Sequence, residues 1–328
     1  MKPLTWRKLL VATGLGGVAI ASVIWSRFAA DINAARERVS HGSVLIETRC
    51  GVIEYQEAGT GVPLLAVHGS GGGFDQGMAF AGPLANRGVR VIAMSRFGYL
   101  RTPMPPDASA ATQADAHVCL LDALGIDTAA VMGGSAGALS ALQMAIRYPD
   151  RVSGLILLVP LAYKPPTEAS SAAPMAPWIE KTMMSVIGSD FLFWSALHLA
   201  HRQIVATVLA TPPDLLETAS ASEQARIDAM VANILPVSSR AAGLRYDTAA
   251  SKTVGPVDLN LVRAPTLIIS ARDDGYGTYA SAAYTAGQIA GARFIGFETG
   301  GHTWVGHDDE VTAAILDLLG PGDGLSDP

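Results

Sequence analysis

A serine crowded by glycines, Gly133-Gly134-Ser135-Ala136-Gly137, lies directly behind the apolar run 128–132. A serine hydroxyl is a weak nucleophile until a neighbouring base takes its proton, and the base needs an acid to orient it. G-x-S-x-G between a strand and a helix suits that chemistry. The sharp turn lifts the serine clear of a sheet, and only very small residues fit two positions before and after it, here Gly133 and Gly137. A helix beginning at Ala136 also directs backbone N–H groups toward a developing oxyanion. With 34 glycines in 328 residues, such a motif arises readily by chance, and a Gly-rich turn bearing an exposed serine has the same letters. The strand before it and the helix after it favour the nucleophile.

Seven histidines compete to be the base. His302 follows the last strand-like stretch, in ETGGHTW, and precedes the terminal helix, which sets it on a loop at the strand ends. His307 enters that helix. His198 and His201 form an H-x-x-H in a helical segment that lacks a third metal ligand, so a surface or packing role is preferred. His117 is mid-helix, His41 lies in a linker, and His68 ends a strand, where it shapes the following loop. His302 is therefore the base. The acid should leave another strand end. Asp273 and Asp274 both follow TLIIS, whereas VPLAYKPP after the preceding strand offers no carboxylate. The residues alone leave the choice between those two aspartates open.

A third element is the glycine run VHGSGGGFDQG (67–77). Bare backbone after a strand can approach a substrate closely. The Ser70 N–H, with Gly71 N–H as a further donor, would join Ala136 N–H in an oxyanion hole. The competing assignment, a phosphate-binding loop, lacks both the Lys-Ser/Thr of a P-loop and a G-x-G-x-x-G pattern.

These residues need a scaffold that gathers strand ends. VLIETRCGVIEYQEAG (44–59) alternates like a hairpin with its turn near Cys50-Gly51. PLLAVHG, RVIAMSR, TAAVMGG, VSGLILLVP, PTLIISARDD and ARFIGFETGGH read as further strands, and several are apolar throughout, as in a parallel sheet covered on both faces. Helical patterns occupy 112–125, 136–149 and 308–320. The implied class is α/β, a mostly parallel central sheet flanked by helices, with its active site at the carboxyl strand ends. Between Tyr163 and Leu261 the alternation stops, and a mostly helical stretch intervenes that reads as a cap inserted before the acid-bearing strand. The expected divisions are 1–40, a membrane anchor or signal segment with its linker; 41–163 and 262–320, the core; 164–261, the cap; and 321–328, a loose tail.

Composition narrows the partners. Hydrophobic residues make up 49% and charged residues 16%, with net charge −6, so a sizeable core is available and disorder is excluded. Lys and Arg are scattered, which argues against nucleic acid. Cys50 and Cys119 have no metal-ligand spacing and are read as free thiols, a bridge being the lesser alternative. No cofactor or metal is called for. Lys2, Arg7 and Lys8 precede an uncharged stretch from Leu9 to Ser26, long enough nearly to cross a bilayer. The expectation is an uncleaved anchor in the inner membrane, with the catalytic domain outside the cytoplasm. A cleaved signal giving a secreted or periplasmic protein is the first alternative, and a helix simply buried in the fold is the second.

With those residues in place, the chain from about Val44 to Leu319 resembles the α/β-hydrolase superfamily, in its serine esterase, proline iminopeptidase-like and cofactor-free haloperoxidase-like branch. The resemblance rests on HGSGGG, SRFGYLRTP, GGSAGA, PTLIISARDD and GGHTWVGHDDEVTAAILDLL. It implies the triad Ser135, Asp274 and His302. In such proteins the acid stands three residues after the small residue ending its strand, here Ala271 in place of the usual Gly, which selects Asp274 and leaves Asp273 second. The N-terminal segment ahead of HGSGGGFDQG also resembles membrane-tethered bacterial members. The implied activity is hydrolysis of a carboxylic ester of a small acyl substrate through an acyl-enzyme. Aminopeptidase, lactonase, C–C hydrolase or perhydrolase activity is the alternative, with ligand binding without turnover a further one. The cap residues Trp178, Met183, Met184, Phe191, Phe193 and Trp194 read first as a cap core and second as an apolar acyl pocket.

Overall fold

The strands are β1 (Val44–Thr48), β2 (Gly51–Ala58), β3 (Val62–Val67), β4 (Val89–Met94), β5 (Ala129–Gly134), β6 (Val152–Leu158), β7 (Thr266–Ala271) and β8 (Arg293–Phe297). In the computed structural model, which describes residues 6–165, 185 and 188–320, they form one sheet in the order β1-β2-β4-β3-β5-β6-β7-β8. β2 is antiparallel to both its neighbours, and every pairing from β4 to β8 is parallel. The expected hairpin turns at Arg49-Cys50, as its alternation implied.

Helices cover both faces, which is why the central strands are apolar on both sides. Leu65, Val67, Val131 and Ile268 belong to one core, shared with α3 (Ala110–Ala123), α4 (Gly137–Arg147) and α10 (Thr278–Gln288). Their strand neighbours Leu64, Ala66, Met132 and Leu267 point the other way, into a core shared with α2 (Phe74–Ala81) and α11 (Asp308–Leu319). The period of two along each strand thus feeds two separate cores. Ser109 caps α3 by accepting a hydrogen bond from Thr112 N–H, which fixes where that helix starts.

The connectivity makes the site. β3 lies between β4 and β5, so the chain leaves β3 to one side and later returns on the other. That reversal opens a crevice at the carboxyl ends of β3 and β5, where no crossover covers the sheet. The glycine run leaves β3 there, and the serine turn leaves β5.

The segment between β6 and β7 carries α5 (Asp190–Leu199), α6 (His201–Val208), α7 (Leu215–Thr218), α8 (Ala221–Ala232) and α9 (Ala241–Ala250). Phe193 and Trp194 are buried in a cluster with Ile204, Ile227 and Val231, a cap core, while Phe191 is exposed. Trp178, Met183 and Met184 lie outside the described residues.

Two expectations are corrected. The first concerns the N-terminus, which is one helix, α1 (Trp6–His41). Among the described residues no helix is long and apolar enough to cross a membrane, so the anchor and the inner-membrane localisation are withdrawn and no compartment is assigned. The stretch taken as a polar linker is part of the fold. Phe28, Ile32 and Ala35 pack in the cap cluster, Asp31 accepts a hydrogen bond from Trp194 Nε1 at 2.8 Å, and Arg38 donates to Leu235 O at 2.6 Å. The second concerns the thiols. Cys50 and Cys119 are joined in a disulfide across 69 positions of sequence. It ties the β1–β2 turn to α3, a proximity that linear spacing does not reveal.

Candidate active site

Ser135 stands at the carboxyl end of β5 with φ of 48°, a left-handed conformation that side chains disfavour and that surrounding structure must hold. Its N–H donates to Leu158 O at 2.9 Å, and its carbonyl accepts from Ala138 N at 3.1 Å and Leu161 N at 3.0 Å. The end of β6 and the first turn of α4 thus grip the turn from both sides. The two glycines serve different contacts. A Cβ on Gly133 would stand 2.8 Å from Ala138 Cα and from Ala141 Cβ. A Cβ on Gly137 would stand 2.5 Å from both Val67 O and His68 O. The first clears α4 and the second clears the end of β3, so the pair does more than avoid each other.

The oxyanion candidates divide. Ala136 N–H and Ser70 N–H have no acceptor among the described residues. Gly71 N–H is engaged by Tyr99 Oη at 3.3 Å, which removes it as a free donor. The loop lies directly over the serine: a Cβ on Gly69 would meet Ser135 Cβ at 3.0 Å. Gly69 N–H is tied back to Gln76 Oε1 of α2 at 2.8 Å.

His302 Nδ1 pairs with Asp274 Oδ2 at 2.9 Å. Asp274 is 5% exposed, and its carboxylate also accepts from Thr278 Oγ1 and, at 2.9 Å, from Tyr276 N–H. Burial opposes its charge, but these donors, His302 foremost, outweigh burial and hold its pKa below 3.8. A carboxylate at Nδ1 fixes the tautomer that leaves Nε2 free to accept a proton. Asp273 does something else: its oxygens accept Gly301 N–H at 2.8 Å and Gly300 N–H at 3.2 Å, shaping the loop that presents His302. Ser135 Oγ makes no hydrogen bond among the described residues. Phe80 connects the two loops, its ring 3.0 Å from a Cβ placed on Gly134 and 5.7 Å, edge-on, from the Trp304 ring.

Five of the other histidines have structural partners, and His41 is exposed at the end of α1. His68 is fully buried, with Nδ1 against Gly69 O at 2.6 Å and Nε2 accepting Arg96 N–H at 2.9 Å; burial and then the Arg96 charge push its pKa well below 6.5. His117 pairs with Ser140 Oγ at 2.9 Å, and burial lowers its pKa to about 3. His307 precedes α11, stacked on Phe297. His198 faces Trp194 O and His201 faces Asp228, and among the described residues no group of three His, Cys, Asp or Glu is placed to hold a metal.

Sequence inspection missed a cluster beside the glycine run. Asp247, from α9, accepts from Arg96, Tyr99 and Ser70. Arg96 and Tyr99 lie in SRFGYLRTP, a motif with no assigned role; Asp247 carried no signal, being 151 residues from Arg96. A cavity of about 320 Å³ lies alongside, bounded by Ala136, Leu139, Gln143, Tyr163, Tyr246 and Asp247 among others, so it adjoins one of the two candidate oxyanion donors.

Residues 62–305 match the model of the alpha/beta hydrolase fold. The chain belongs to that family. Among curated members it is 28% identical to the 2-hydroxy-6-oxo-6-phenylhexa-2,4-dienoate hydrolase of Comamonas testosteroni, over 82% of this chain and 91% of that one. It is 39% identical to the 2-hydroxymuconate semialdehyde hydrolase of Pseudomonas putida, over 31% of this chain and 37% of that one. Of solved structures, an alpha/beta hydrolase fold protein from Nakamurella multipartita superposes with TM-score 0.66 and 26% identity, covering 84% of this chain and 98% of that one. The family expected from the motifs is thus the observed one, and its curated relatives include dienoate hydrolases. This alpha/beta hydrolase is a hydrolytic enzyme; which bond it cleaves is a finer matter.

Proposed function

We propose that this enzyme is a serine hydrolase whose bond is the carbon–carbon bond beside a ketone, in a compound of the 2-hydroxy-6-oxo-dienoate class. The observation that carries the reading is the near full-length likeness to a dienoate hydrolase. The substrate in that protein's name has a ketone and a free carboxylate but no ester or amide, so water can divide it only by breaking carbon–carbon bonding. The strained Ser135 and the pairing of His302 with the buried Asp274 support the catalytic part.

In this mechanism Ser135 Oγ adds to the keto carbon as its proton passes to His302 Nε2, and Asp274 stabilises the imidazolium that forms. Ala136 N–H and Ser70 N–H receive the oxyanion. For the carbon–carbon bond to break, the enol proton of the 2-hydroxyl must first shift to the carbon beside the ketone, which creates a carbonyl at C2. The electron pair of the breaking bond is then delocalised onto that carbonyl, and the proton held by His302 neutralises the dienolate that leaves. Water, activated by His302, hydrolyses the acyl-enzyme to a carboxylic acid and restores Ser135. The cavity beside Ala136 would hold one of the fragments.

Carboxylic-ester hydrolysis is the second reading, because the same nucleophile, base and N–H donors serve an ester without alteration. The test offers a 2-hydroxy-6-oxo-6-phenyl-dienoate and a p-nitrophenyl ester series from acetate to palmitate to the enzyme and to Ser135→Ala. Loss of the dienoate's conjugated absorbance, abolished by Ser135→Ala, is the expected result. Ser135-dependent turnover of esters with an untouched dienoate moves the conclusion to the ester hydrolase.

A further inference from the structure

We infer that Asp247 is a positioning residue for the oxyanion hole, a carboxylate supplied by the cap that fixes the loop carrying Ser70 N–H. The inference rests on the serine-hydrolase reading and adds to it a link between the cap and the chemistry.

Asp247 is 5% exposed and Arg96 is 2% exposed. The guanidinium grips the carboxylate through Nη1 at 3.0 Å and Nη2 at 2.5 Å, a bidentate pairing that sets direction as well as charge. The same carboxylate accepts Ser70 Oγ at 2.9 Å and Tyr99 Oη at 2.5 Å. Each of its partners reaches the loop after β3 a second way. Arg96 Nε donates to His68 O at 2.8 Å, and Tyr99 Oη accepts Gly71 N–H. Ser70 is therefore held by its own hydroxyl, while the residue after it is held by its amide. What these contacts leave free on the loop at this point is Ser70 N–H, one residue after Gly69, where a Cβ would stand 3.0 Å from Ser135 Cβ. Oxyanion stabilisation depends on donors fixed before the charge appears, so a tether at this place acts on the transition state more than on substrate binding.

Asp247 belongs to α9, whereas the loop belongs to the core, so the hole is assembled only with the cap seated. Asp247 also borders the cavity with Tyr246 and Ala136. A substrate fragment filling that cavity presses on the helix that carries the tether.

Ser70→Ala is the decisive variant, since it keeps the backbone donor and loses only the hydroxyl. Four readouts apply: fluorophosphonate labelling, kcat and KM on p-nitrophenyl acetate, affinity for an aryl trifluoromethyl ketone, which adds to Ser135 and places its oxyanion in the hole, and Tm. Ser70→Ala should lower kcat 10- to 100-fold, leave KM within about twofold, and weaken the ketone by the same factor as kcat/KM, with Tm little changed. Ser70→Thr should restore most of the loss. Asp247→Asn should give a larger loss of the same kind; because it leaves Arg96 buried beside a neutral partner, Tyr99→Phe serves where that variant does not fold. If Ser70→Ala and Tyr99→Phe match the wild type in kcat and ketone affinity, the inference is overturned while the serine-hydrolase reading stands. A wild type that neither reacts with the fluorophosphonate nor binds the ketone overturns that reading and this inference with it.

Discussion

Gly137 and His68 are packed so closely that a Cβ on the glycine would stand 2.5 Å from the histidine's carbonyl oxygen. This contact couples the start of α4 to the end of β3, the two places that carry the proposed oxyanion donors. Gly137→Ala therefore collides with backbone that cannot swing away. It should destabilise the fold by about 3 kcal/mol, the upper end for overpacking, and cut turnover sharply. Gly134→Ala meets only the Phe80 ring, at 3.0 Å, and should cost about 1 kcal/mol. Denaturant unfolding of both variants checks the order, and equal costs would mean that β3 can retreat.

The two neighbouring aspartates should separate by kinetics. Asp274→Asn keeps the shape but favours the wrong His302 tautomer, and kcat should fall by about 10⁴-fold. Asp273→Ala frees the N–H groups of Gly300 and Gly301 and lets the histidine loop drift, with a loss of about 10²-fold. A reversed order of severity would transfer the acid role to Asp273.

Acid stability should expose the buried histidines. His68 and His117 stay neutral when folded, with pKa values below 6.5. Unfolded, each takes up a proton as the pH falls below 6.5, so the unfolded state gains protons that the folded state refuses. Stability is full above pH 6.5 and is lost below it, at about 1.4 kcal/mol per pH unit for each histidine; for His117 the window extends down to about pH 3. Urea unfolding between pH 7.5 and 5 measures the slope, and a flat profile would show that these side chains bind protons in the folded protein.

The disulfide closes a long loop, so its loss should be felt in the unfolded state. For a separation of 69 residues, the loop-entropy relation gives roughly 4 kcal/mol. Cys119→Ser, or a reductant added to the wild type, should lower Tm by comparable amounts. A Tm indifferent to reductant would mean that the bond is not formed.

Local patterns carried much of this protein. Strands apolar on both faces, glycines around Ser135 and a histidine after the last strand are dictated by neighbours within a few residues, because period, turn chemistry and strand-end position are local properties. Hence Ser135, Ala136, His302 and the Asp273-Asp274 pair could be proposed from the chain, and the helical insertion before β7 was visible where alternation stopped. The apolar N-terminus shows the limit of local evidence. Its uncharged run reads locally like an anchor, yet no described helix is long and apolar enough to cross a membrane, and Phe28, Ile32 and Ala35 of the same helix pack with cap residues more than 150 positions away.

The sequence by itself determined the strands, the serine turn between strand and helix, and the histidine loop after the last strand. Tertiary structure decided the rest: which aspartate touches His302, that Gly71 N–H is already engaged, that two distant cysteines meet, and that Asp247 of the cap holds the loop beside the nucleophile. The physical reason is the same in each case. A hydrogen bond or a disulfide is made within about 3 Å, and only the folded chain brings groups separated by 28, 69 or 151 positions to that distance.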